Sequence, residues 1–132
     1  MKNPFLKIFK STSHKIPDKI KNMLLQQFPE AINIEWDIKD DLYEAVFYVN
    51  ETEFIAKISD ENGLTGYKKN LKISELPEEV IGESEKLGEI MNVIAIYTKS
   101  NQLYEVIIRD REFNRTLLLI SKNGEIIESK TI

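Results

Sequence analysis

A block of roughly sixty residues is written twice in this chain, and that duplication limits the possible folds more than any other feature. Ile16-Pro17 returns as Leu76-Pro77, sixty positions on; Ile20 then aligns with Val80, Ile34 with Ile94 and Trp36 with Ile96. At an offset of sixty-one, Tyr43-Glu44-Ala45-Val46-Phe47 aligns with Tyr104-Glu105-Val106-Ile107-Ile108, and Asn62-Gly63 with Asn123-Gly124. The one-residue step falls in a turn, where an insertion is readily tolerated. The chain of 132 residues therefore divides into a basic extension, 1–15, and a body, 16–132, made of two copies at about 16–75 and 76–132.

Each copy opens on a helix. Pro17 suits a first helical turn, where its missing N–H has no helical partner to lose. Ile16, Ile20, Met23, Leu24 and Phe28 recur every three to four residues as one apolar stripe, which Pro29 ends. In the second copy Pro77 starts the helix, with Glu75, Glu78 and Glu79 near the positive end of its dipole. Its stripe reads Leu76, Val80, Ile81 and Leu87, and Gly82 and Gly88 weaken it. Strands follow. Ile32, Ile34, Trp36 and Ile38 alternate with polar residues, as do Tyr43, Ala45, Phe47 and Val49. Further strands are predicted at 53–59 and 64–70, and in the second copy at about 92–98, 102–110, 114–121 and 125–131. Asp60-Glu61-Asn62-Gly63 and Lys122-Asn123-Gly124 are hairpin loops. The pattern is α-β-β-β-β, twice. Short loops make neighbouring strands antiparallel. The predicted fold is α+β: one antiparallel sheet of about eight strands with both helices on one face.

Two helices leave the other face of such a sheet open. Parity sends Tyr43, Ala45, Phe47 and Val49 toward the helix and Glu44, Val46 and Tyr48 outward, with Glu105, Ile107 and Arg109 as their counterparts. On the third strands, Ile55, Lys57 and Ser59 are matched to Thr116, Leu118 and Ile120. The expected outer face then carries Val46, Tyr48, Ile55, Ile107, Leu118 and Ile120, with Lys57 and Arg109 setting electrostatic register. That is more apolar area than scattered surface residues need, and its mix of Tyr, aliphatics and Arg is interface-like. Cross-strand stabilisation of the sheet explains the same residues without a ligand, and a homodimer through this face is a further reading. A small apolar ligand held between helices and sheet is another alternative.

The inventory for catalysis is thin. There is no cysteine and one histidine, His14, beside Ser11, Thr12 and Ser13. A Ser/His pair needs an oxyanion hole and an orienting acid, and no Gly-x-Ser-x-Gly elbow occurs. Asp37, Asp40 and Asp41 cluster at a turn, and Asp60-Glu61-Asn62-Gly63 begins like a calcium loop. The twelfth position counted from Asp60 is Leu71, not the Glu a calcium loop requires. Neither a metal nor another cofactor is expected, and the chain reads as a non-enzyme. Net charge is −4. Six lysines against Asp18 give residues 1–22 a net of +5, so the remainder carries −9. Such an acidic body argues against nucleic acid; Lys68, Lys69 and Lys72 read instead as an edge-strand guard against aggregation. Residues 1–15 read as a frayed extension, or as a short interfacial anchor built on Phe5, Leu6, Ile8 and Phe9. No run approaches the roughly 18 apolar residues of a membrane span, and Lys7 and Lys10 interrupt any signal-like segment. A cytoplasmic protein or a mature form is expected.

Ile16-Pro17, Phe28-Pro29-Glu30-Ala31, Trp36, Tyr43-Glu44-Ala45-Val46-Phe47 and Asn62-Gly63, in that order, resemble the PepSY-like family. Ser74-Glu75-Leu76-Pro77, Tyr104-Glu105-Val106 and Asn123-Gly124 repeat the pattern in the second copy. The resemblance covers about residues 14–130. It implies a fold similar to β-lactamase inhibitory protein, a periplasmic or secreted setting, and peptidase inhibition as an activity suggested for PepSY domains. It brings no catalytic residue. Leu87-Gly88 stands where a Phe-Pro ending is expected, so the second helix should be shorter or irregular.

Overall fold

The computed structural model describes residues 16–132. The extension 1–15, with His14 and the neighbouring Ser11, Thr12 and Ser13, lies outside the described residues. The order of elements is α1 (Asp18–Gln27), β1 (Ile32–Lys39), β2 (Leu42–Val49), β3 (Thr52–Ser59) and β4 (Gly63–Asn70). A 3-10 turn at Ile73–Glu75 leads to α2 (Glu78–Glu85), β5 (Glu89–Thr98), β6 (Gln102–Arg109), β7 (Arg115–Ser121) and β8 (Ile126–Thr131). The eight strands form one antiparallel sheet in chain order. β4 thus lies inside the sheet, and the expected edge-guard role for Lys68 and Lys69 does not hold. The chain divides into two compact units, up to Lys68 and from Lys69 onward.

In the first unit α1 buries Ile16, Ile20 and Leu24 against Trp36, Ala45, Phe47, Ala56 and Ile58. Pro17 caps the helix and the Phe28 N–H returns to the Leu24 carbonyl at 2.8 Å, so the helix stops just before Pro29. Phe28 then drops its ring among Phe47, Phe54 and Tyr67, with centroids 5.0, 5.4 and 5.1 Å away. Such offset and edge-on pairs add to area burial. Ile32 departs from the predicted alternation. Asn33 takes a φ of 54°, the ladder with β2 slips between Ile32 and Glu35, and Ile32 is left exposed opposite Tyr48. A bulge of this kind re-aims the residues before it.

In the second unit α2 sets Leu76 and Val80 against Val93, Ala95, Tyr104, Val106, Ile108, Leu118 and Ile120. This helix has eight residues against ten in α1, as the Leu87-Gly88 ending predicted. Leu87 is not part of its stripe: the helix ends before it, and its side chain is exposed. The inward position is taken by Ser84, fully buried, whose hydroxyl has no hydrogen-bond partner among the described residues. Gly88 has a steric cause. A Cβ there would lie 2.7 Å from the Arg109 carbonyl oxygen, so only glycine lets β5 start this close to the end of β6.

Candidate functional site

Two hairpins decide which side chains reach the face away from the helix. In the first unit Val49 pairs with Thr52, and the turn is Asn50-Glu51, both at positive φ (48° and 70°). That is the two-residue turn matched to strand twist. In the second unit Arg109 pairs with Arg115, and the Asp110 N–H bonds the Asn114 carbonyl at 3.0 Å. The tip is therefore Arg111-Glu112-Phe113, one residue longer. One extra residue shifts β7 by one place relative to β3, and a one-residue shift reverses every side chain.

This overturns the expected placement of Leu118 and Ile120. Val106 pairs with Leu118 and Tyr104 with Ile120, and both residues are fully buried under α2. Leu117 and Leu119 take the outward positions, opposite Ile107 and Glu105. The same kind of shift affects β5. Val93, not Ile96, holds the place of Trp36, because the turn between β5 and β6 spans Thr98 to Asn101 and a bulge follows Ile90. Ile94 and Ile96 consequently face outward, opposite Glu105 and Leu103.

The outer face of the second unit is thus richer in aliphatics than parity alone predicted. Ile94, Ile96, Leu103, Ile107, Leu117 and Leu119 surround Glu105 on adjacent strands. All but the buried Ile94 are half-buried. Asn92, Arg109, Arg115, Glu128 and Lys130 rim the cluster. Arg109, as expected, faces outward; its guanidinium lies 3.1 Å from Glu89 and 5.4 Å from the Phe113 ring centre. Phe113 escaped the sequence reading. It is 74 % exposed and has a φ of 67°, a rare conformation for a bulky residue. The only sequence signal was the extra residue in the hairpin.

The tip that carries Phe113 is held by Asp110. Its Oδ1 accepts from the Glu112 and Asn114 backbone N–H groups, both at 2.9 Å. These bonds, that from Asn114 first, hold the carboxyl below its ordinary value of 3.8. An open depression of about 1020 Å³ lies beside the tip, between Gly88 and Glu89 on one side and Arg109 and Phe113 on the other.

The first unit's outer face is more polar. Asp37, Glu44 and Lys57 align across three strands. Val46 and Ile55 are direct partners, and Tyr48 lies opposite Glu53, donating to its carboxylate at 3.4 Å. Val46 does face away from the helix but is only 4 % exposed, because Glu35 and Ile55 flank it on both neighbouring strands. It offers no contact area. Tyr48 and Ile55 are half-buried and Lys57 is exposed. Among the described residues no three of His, Cys, Asp and Glu gather to hold a metal ion. No described helix is long and apolar enough to cross a membrane.

No protein-family model matches the chain, and no curated protein does. Solved structures do. A DUF2874 family protein from Bacteroides uniformis is 17 % identical, with a TM-score of 0.79 over 88 % of this chain and 89 % of that one. A BLIP-like protein from Bacteroides fragilis is 18 % identical, with a TM-score of 0.74 over 88 % and 86 %. A second DUF2874 family protein, from Bacteroides ovatus, is 14 % identical, with a TM-score of 0.76 over 87 % and 86 %. The fold is the BLIP-like one that the sequence motifs implied. At these identities the likeness is one of fold.

Proposed function

We propose that this protein is a non-enzymatic binding module for a protein or peptide, and that the second unit's outer face is its docking surface. The observation behind this reading is the exposed Phe113, in a conformation that opposes its own bulk, beside an aliphatic sheet face rimmed by charge. Backbone strain of this kind concentrates at functional sites. An aromatic anchor next to an arginine is the composition of an interface hot spot. Ile107, Leu117 and Leu119 supply apolar contact, while Arg109 and Arg115 set register with an acidic or carbonyl-rich partner. The PepSY-like motifs make a peptidase a natural partner class. On the first unit, Tyr48, Ile55 and Lys57 are the residues offered to a partner.

The alternative of an apolar ligand between helix and sheet is less well supported, because bulky side chains already fill that space in each unit. The test is affinity capture from whole-cell lysate and envelope fractions with the native chain, Ile107→Glu and Phe113→Gly, using Lys21→Glu on the far side of α1 as control. A partner held by the native chain and the control but lost by both outer-face variants supports the reading. Capture that survives Ile107→Glu and Phe113→Gly overturns it.

A further inference from the structure

The last strand of the sheet has a free edge. β8 pairs with β7 and, among the described residues, with nothing else. Sheet edges left in this state are templates for another strand unless they are guarded. The direction of its free groups follows from the ladder. The Ile132 N–H bonds the Arg115 carbonyl at 3.0 Å, which makes 115 and 132 a hydrogen-bonded pair. Thr116 opposite Thr131, and Leu118 opposite Ser129, are then pairs of the other kind. The N–H and C=O groups of Ser129 and Thr131 consequently point away from β7, where no other described strand lies.

We infer that β8 pairs antiparallel with β8 of a second copy of this chain, about a two-fold axis at Ser129. In that register Ser129 exchanges backbone hydrogen bonds with Ser129 of the second copy. The Thr131 N–H of each copy then reaches the Ile127 carbonyl of the other, while the Ile127 N–H turns toward β7 at the bulge between Leu119 and Ile120. Glu128 then falls opposite Lys130 of the second copy, twice by symmetry. These are the non-hydrogen-bonded positions, where side chains approach most closely and opposite charges stabilise best. Ile127, 56 % exposed in the single chain, gains cover from the neighbouring strand.

The opposite edge does not allow this. On β1, centring on Trp36 sets Glu35 against Asp37 in both directions; centring on Ile38 sets Asp37 against Lys39, but there the Ile38 N–H already donates to Asp37 Oδ1 at 2.9 Å and the strand ends one residue on. Like charges directly opposite are destabilising. Each edge carries a bulge, between Ile32 and Glu35 on β1 and at Ile127 on β8, and the one on β8 leaves 128–131 in regular register with β7. An opposite-charge register whose central N–H is turned outward and not already bonded among the described residues therefore belongs to β8. Pairing of six-residue strands lies at the small end of specific interfaces, so a reversible dimer with a dissociation constant of roughly 10 μM is expected.

Sedimentation equilibrium of the full chain from about 1 to 500 μM reads this directly. The expected result is a shift from the 15.4 kDa monomer to twice that mass. Ser129→Pro removes an outward N–H and leaves the β7 ladder intact, so it should yield a folded monomer by circular dichroism. Glu128→Lys should weaken the dimer about tenfold, and adding Lys130→Glu should restore it to within about twofold. A chain that stays monomeric at all concentrations overturns the inference. So does a dimer indifferent to Ser129→Pro, an open-ended polymer, or a double variant no stronger than Glu128→Lys alone.

Discussion

Ser84, Asp110 and Phe113 each sit where their chemistry is poorly matched or specially held, and each can be tested alone. The Ser84 hydroxyl is buried without a partner among the described residues. Burying a hydroxyl with no hydrogen bond costs about 1–3 kcal/mol. Ser84→Ala should therefore raise unfolding stability by about 1 kcal/mol in denaturant titration. Asp110 works through its charge. Hydrogen bonding in the folded chain depresses its pKa, so its contribution is present above the unfolded carboxylate value. That contribution is lost as pH falls through the folded value, which lies under 3.8. A carboxyl titration by NMR should place Asp110 below the ordinary value of 3.8, and the Phe113 tip should loosen only in acid below that point. Phe113 is the reverse case. Glycine accepts a φ of 67° without strain, so Phe113→Gly should leave stability unchanged or raise it by up to about 1 kcal/mol. Lost capture by Phe113→Gly in a chain at least as stable would separate a binding role from a structural one.

At the scale of elements, the result that matters is the position of β7. Its sequence, Arg115-Thr116-Leu117-Leu118-Leu119-Ile120-Ser121, is apolar on both faces, so alternation within the strand could not orient it. The alignment to the first copy then decided its face, and that alignment missed one residue in the preceding hairpin. β3 was legible because Ala56 and Ile58 alternate with Lys57 and Ser59. The correction is testable. Leu118→Ala should cost about 2–5 kcal/mol, and Leu117→Ala, on the outer face, less than about 1 kcal/mol, in the same denaturant assay. Equal losses would return Leu118 to the surface. β5 follows the same logic, since Ile94 and Ile96 look like core residues by type but are turned outward by the bulge after Ile90. The helices were read with less difficulty, because a period near 3.6 and a proline at each start leave little choice of face. Only Leu87 was misplaced, by a helix ending two residues earlier.

Across the whole molecule, two copies of one plan carry different surfaces. The cores are equivalent in design: a short helix over three strands, with the inward residues of the first strand supplied by Ile34, Trp36 and Ile38 in one unit and Val93 and Ala95 in the other. The outer faces have diverged, charged in the first unit and aliphatic in the second. By itself the sequence determined the repeat, the eight strands, the two helices and the fold class. Those depend on local periodicity, turn residues and proline placement, which are read a few residues at a time. It also marked Tyr48, Ile55, Lys57, Ile107 and Arg109 as facing away from the helices. Only the tertiary structure decided that Leu118 belongs to the core, that Val46 is covered, and that Leu117, Leu119 and Phe113 form the second unit's outer surface. The physical reason is the two-residue period of a strand: a single extra residue in a turn, invisible to composition, reverses the face of everything after it.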